Sequence, residues 1–125
     1  MEKDTAIKLS EFNIISDDVE ISLCQNYKPY ENFLRQALSG EGMVGENSYL
    51  LLWKKSEIEE LNDMYETYEF LSDVILIGSD GGDMAYGIDI NGRYIEVPFI
   101  GMDDEEIKVI GNNFDDFINY IWSKS

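Results

Sequence analysis

The apolar positions change period several times along the chain, and each change predicts an element. Phe12, Ile14, Ile15, Val19, Ile21 and Leu23 alternate loosely around Ser16–Asp17–Asp18, which suggests a short helix or arm followed by a strand within Met1 to Tyr27. Phe33, Leu34, Ala37 and Leu38 share a helical stripe over Tyr30 to Leu38, with Gly40 as the terminating residue and Gly40 to Gly45 as a mobile loop. Tyr49 to Trp53 reads as a buried strand. Ser56 followed by Glu59 matches a capping box, opening an acidic helix that runs to Glu69 and buries Ile58, Leu61, Tyr65 and Tyr68. Val74 to Ile77 and Met84 to Ile90 are strands. Asn91–Gly92 then predicts a two-residue type I′ hairpin that pairs Ile90 with Arg93. That register sets Tyr86, Ile88, Ile90, Ile95 and Val97 on a core face, and Ala85, Gly87, Asp89, Tyr94 and Glu96 on a face that tolerates water. A last helix after Asn113 buries Phe114, Phe117, Ile118, Ile121 and Trp122.

Composition narrows the function classes. The 125 residues are 44% hydrophobic and 13% aromatic, enough to fold as one domain, residues 1–125, without metal or disulfide staples. Nine Lys and Arg stand against 26 Asp and Glu, a formal charge of −17 that repels nucleic-acid phosphates and anionic lipid surfaces. Fifteen of those acids and only one base, Arg93, lie between Glu57 and Glu106. The expected long-range partner is therefore a basic protein, with neither direct nucleic-acid nor membrane binding. The single cysteine, Cys24, forms no internal disulfide, and no apolar run is long enough for a signal peptide or a span, so a cytoplasmic location is expected.

The absence of histidine removes Ser-His-Asp and Cys-His arrangements and every His-based metal site. Asp80–Gly81–Gly82–Asp83 lies between two strands, whereas a phosphate cradle opens a helix, and its carboxylates repel phosphate. Two carboxylates are also too few for a calcium loop. The turn therefore reads as a chain reversal, and neither a cofactor nor a metal is expected. Cys24 has only Lys28 nearby to activate it and reads as a packed thiol. No carboxylate pair is set apart for acid and base work, so the chain is expected not to be an enzyme.

Several pieces in order resemble the SUKH superfamily. They are Ser39–Gly40, Leu50–Leu51–Leu52–Trp53, the helix from Ser56 to Asn62, Ile77–Gly78–Ser79–Asp80–Gly81–Gly82–Asp83, Tyr86–Gly87–Ile88–Asp89, Val97–Pro98–Phe99 and Phe114–Asp115–Asp116–Phe117. The resemblance covers about Tyr30 to Trp122. It departs at the family's Leu-Pro-x-x-Tyr-like entry, where this chain has Tyr27–Lys28–Pro29–Tyr30. It implies a single α+β domain, a mixed and largely antiparallel sheet flanked by helices, that binds protein partners. The superfamily is named partly for a fungal cell-wall assembly regulator, and its bacterial members are widely regarded as immunity proteins against polymorphic toxins.

Candidate partner-binding residues follow from charges that local structure does not explain. Asp63, Glu66 and Glu69 lie late in the acidic helix, where the dipole disfavours them and their spacing adds about 0.2–0.5 kcal/mol of repulsion per pair. The run Asp103–Asp104–Glu105–Glu106 is the second candidate, in a loop or on the first turn of a short helix. Asp80 and Asp83 come third, and Tyr94 is the one aromatic placed on the wetter sheet face. The plainer reading of all the acids is a solvated surface kept for solubility. The functional expectation is an immunity protein covering the basic active-site region of a toxin, with the acids mimicking phosphate if that toxin is a nuclease. The alternative is a cytosolic regulatory or scaffold module of the same fold.

Overall fold

A computed structural model describes residue 8, residues 12–15 and residues 39–124. The predicted helix over Tyr30 to Leu38, Cys24 and most of the N-terminal segment lie outside them. Seven strands form one sheet in sequence order, each antiparallel to the next: β1 (Phe12–Ile15), β2 (Ser39–Met43), β3 (Tyr49–Leu52), β4 (Val74–Ser79), β5 (Met84–Asp89), β6 (Tyr94–Pro98) and β7 (Lys108–Gly111). Among the described residues three complete α-helices accompany them: α1 (Lys55–Met64), α2 (Thr67–Phe70) and α3 (Phe114–Ser123). The architecture is α+β, with every described pairing antiparallel.

The sheet's centre is buried on both faces. All six residues of β4 and five of six in β5 are buried, as are Tyr94, Ile95, Glu96 and Val97 of β6. On one face α3 packs its Phe117 ring against Tyr86 edge-on at 5.2 Å and against Tyr94 in a stack at 4.9 Å. Asn113 caps this helix by accepting a hydrogen bond from Asp116 N–H at 2.8 Å, and Phe114, Phe117, Ile118 and Ile121 point inward as their spacing predicts. Trp122 does not join them and is 42% exposed.

Five further expectations are corrected. Gly40 to Met43 lies in β2, paired with both β1 and β3, so only residues 44–48 form the connecting turn. The acidic helix is two helices: α1 ends at Met64, Glu66 adopts a left-handed φ of 55°, and α2 restarts with a new phase that buries Thr67 and exposes Tyr68, while Tyr65, capping α1, is partly exposed. Helix α1 begins at Lys55 with Lys54 at the cap position, so Ser56 sits inside the first turn and no capping box forms.

The β5–β6 hairpin is one residue out of the predicted register, pairing Ile88 with Tyr94 and Ala85 with Val97. Its connection is three residues, Ile90–Asn91–Gly92. Only Gly92 takes positive φ, at 80°, whereas a type I′ turn needs it at both central positions. The selecting group is Asp89, whose carboxylate accepts from Asn91 N–H and Arg93 N–H, both at 2.9 Å, and pairs with the Arg93 guanidinium at 2.8 Å. The one-residue slip reassigns the faces. Tyr86 and Ile88 now share a side with Tyr94 and Glu96, and Ile90, expected in the core, is 53% exposed. The face expected to tolerate water is therefore no wet face: Tyr94 and Glu96 are 5% and 7% exposed.

Buried Glu96 is matched rather than stranded. Lys124 reaches its carboxylate at 2.7 Å and the Tyr120 hydroxyl donates to it at 3.0 Å, tying the end of α3 to β6. Where β3 crosses β4 the backbones come close enough that a Cβ on Gly78 would lie 2.2 Å from the Leu51 carbonyl oxygen, so glycine is required there.

Candidate functional site

The Asp80–Asp83 turn closes the β4–β5 hairpin through its own polar atoms. Asp80 accepts from Gly82 N–H at 2.8 Å and Met84 N–H at 3.2 Å, and the Ser79 hydroxyl accepts from Gly81 N–H at 3.1 Å. Gly81 has φ 81°, and a Cβ there would come within 2.9 Å of the Tyr49 ring. The reversal expected from sequence is what forms, and Asp80 is committed to it. Asp83 is different: its carbonyl accepts from Phe99 N–H at 2.9 Å while its side chain stands exposed.

The acidic run divides in the same way. Asp103 caps the short 3₁₀ helix Asp104–Glu106 by accepting from Glu105 N–H at 2.8 Å. Asp104 receives both the Ser72 N–H and the Ser72 hydroxyl at 2.8 Å, and these bonds hold its carboxyl below the usual carboxylate range. Since Ser72 follows α2 closely, this clip lays the run Asp103–Glu106 beside the end of the second acidic helix. Two candidate stretches more than thirty residues apart are thus neighbours, which sequence alone did not reveal. Asp63, Glu66, Glu69, Glu105 and Glu106 all remain exposed. Tyr94, the aromatic candidate, is instead buried against Phe117 and offers a partner no surface; burial also raises its hydroxyl pKa.

The fold also forms a feature that periodicity hid. Tyr65, at the end of α1, stacks on Trp53 with centroids 6.0 Å apart and meets Phe99 at 4.7 Å. The three rings floor a groove. It holds about 370 Å³ and is lined also by Gly81, Gly82, Asp83 and Ile100; a second hollow of about 340 Å³ is lined by Lys54, Glu57 and Glu41. Both touch Leu51, Trp53 and Tyr65, and Ile100 is 88% exposed. No local signal marks it, because Trp53, Tyr65 and Phe99 come from three separate segments of the chain.

Among the described residues no three acidic or cysteine side chains are grouped as metal ligands would be, and no helix is long and apolar enough to cross a membrane. What the described residues offer is an aromatic groove lined by Asp83, with further exposed acids on α1, α2 and the 3₁₀ run. The profile of the SMI1 / KNR4 family (SUKH-1) matches residues 26–120, about three quarters of the chain. The chain belongs to that family. Membership supports a protein-binding role of the immunity or regulatory kind. No curated protein matches the chain.

Proposed function

We propose that this SUKH-1 domain is a non-catalytic, cytoplasmic immunity protein that neutralises a cognate toxin by laying its acidic surface over the toxin's basic active-site region. The observation that carries this reading is that the Ser72–Asp104 clip lays the acidic 3₁₀ run beside the end of α2, while exposed Asp83 and Glu57 line the hollows over the Trp53 and Tyr65 rings. A surface of one sign steers a basic partner and accelerates its docking. If the toxin is a nuclease, the same carboxylates stand where substrate phosphates would.

The test is binding of the purified protein to the toxic C-terminal domain of its nearest genomically linked toxin, at low and high salt. Asp63, Glu66 and Glu69 are replaced together by alanine in a second protein. The expected result is tight binding whose association slows as salt rises and which the triple variant weakens at least ~10-fold. Tight binding that the variant keeps would retain immunity and move the site. The absence of any toxin binding would favour a regulatory module of the same fold with an endogenous partner.

A further inference from the structure

We infer that the Trp53–Tyr65–Phe99 groove is the socket for an arginine side chain carried on a loop of a basic protein partner. This rests on the protein-binding role proposed above and names the chemistry of the anchoring group. Aromatic faces attract cations through their negative ring quadrupole, and Tyr65 is partly exposed beside two further rings. Carboxylates line both hollows over these rings: exposed Asp83 in the groove itself, and in the second hollow exposed Glu57 with Glu41, which the Tyr49 hydroxyl holds. Among the described residues Lys54 is the one cation lining either hollow, and it lines the second.

The surplus of negative charge selects a cation, and the groove's shape selects which. A guanidinium is planar, stacks on a ring and pairs with a carboxylate through two parallel hydrogen bonds, whereas an ammonium is a strongly hydrated point charge. An arginine lying flat on Tyr65 and turning its edge toward Asp83 uses both features at once. Apolar Ile100, protruding at the margin, meets the loop that carries the arginine and keeps water from the pair.

The experiment titrates the isotope-labelled full chain with the capped tripeptide Gly-Arg-Gly and with its citrulline counterpart, which has the same shape without the charge, followed by heteronuclear NMR. The chain has two tryptophans, so Trp53 reports on the groove and Trp122, on the outer side of α3, serves as the control. The expected result is that the Trp53 indole and the Gly81 and Gly82 amides shift together and saturate, while Trp122 stays. The citrulline peptide should bind at least ~10-fold more weakly. Tyr65→Ala should abolish the shifts and Tyr65→Phe retain them. Asp83→Asn, at an exposed turn position, should weaken binding several-fold with the fold intact.

Equal binding of the citrulline peptide, shifts spread over Glu105, Glu106 and Trp122, or no saturable shift would each overturn the inference. Toxin binding is scored separately on the same variants. A toxin that binds Tyr65→Ala and Asp83→Asn as well as wild type sinks the socket and leaves immunity standing. Arginine binding in the groove without toxin binding does the reverse.

Discussion

Asn62 is the side chain whose removal should cost the fold most for the fewest atoms. It is fully buried beneath the sheet and bridges α1 to β4: its amide donates to the Ile58 carbonyl at 2.8 Å and the Leu76 carbonyl at 2.9 Å, and its oxygen accepts from Leu76 N–H at 2.9 Å. The register of β4 against β5 shifts between Leu76 and Gly78, so the asparagine completes pairing at a bulge. Asn62→Ala leaves both Leu76 groups buried without partners at about 1–3 kcal/mol each, while Ile58 retains its helical bond. Alanine returns about 0.6 kcal/mol of helix propensity. A net loss near ~3 kcal/mol follows, a large fraction of the ~5–15 kcal/mol that holds a domain folded. Asn62→Asp separates the parts, because the isosteric carboxyl keeps the acceptor and donates only when protonated. Burial raises the folded pKa of that carboxyl above its unfolded value. Its stability is therefore greatest below the ordinary aspartate range, and falls as pH rises toward the folded value. Urea unfolding followed by circular dichroism at several pH values measures both variants. An Asn62→Ala midpoint that costs less than ~1 kcal/mol with an unchanged slope would refute the bridging argument.

Two further outcomes follow from single groups. Thr67 is fully buried at the start of α2, and among the described residues its hydroxyl has no hydrogen-bond partner. Thr67→Val should therefore raise stability by about 1 kcal/mol, seen as a higher urea midpoint, and a lower midpoint would mean that the hydroxyl is satisfied. Asp104 has its folded pKa lowered by Ser72, so the clip is in place above the unfolded aspartate value and is lost as pH falls through the folded one. The Ser72 amide resonance should titrate with a midpoint below that of an ordinary aspartate, and Asp104→Asn should remove most of that movement.

The elements that sequence disclosed were those governed by neighbours in the chain. Helix α3 was legible because Asn113 and the Phe114–Ile121 stripe are local, and the Asp80–Asp83 reversal because glycine and aspartate announce it. The hairpin register was missed because Asn91–Gly92 favours a two-residue turn, while the Asp89 carboxylate, two residues earlier, stabilises a three-residue one. The break at Glu66 was missed because the apolar stripe runs on through Tyr65 and Tyr68, and nothing in its period marks a left-handed residue. The groove and the Ser72–Asp104 clip were invisible for a different reason: they join segments that only the folded sheet brings together.

The acids of this chain fall into two groups, and the division bears on how such a surface changes partner. Asp80, Asp89, Glu96, Asp103 and Asp104 hold backbone amides, a guanidinium, an ammonium or a hydroxyl, so replacing any of them opens a turn, a cap or a tie. Asp63, Glu66, Asp83, Glu105 and Glu106 are exposed, and among the described residues their carboxylates show none of these ties. Exposed substitutions away from such ties usually cost within about 0.5 kcal/mol. The second group can therefore be rewritten for a new basic surface while the first keeps the strands, the turn and the aromatic floor in position. A domain that must follow a changing partner needs this separation. Here it runs through a single turn, where Asp80 binds the backbone and Asp83, three residues later, faces the groove.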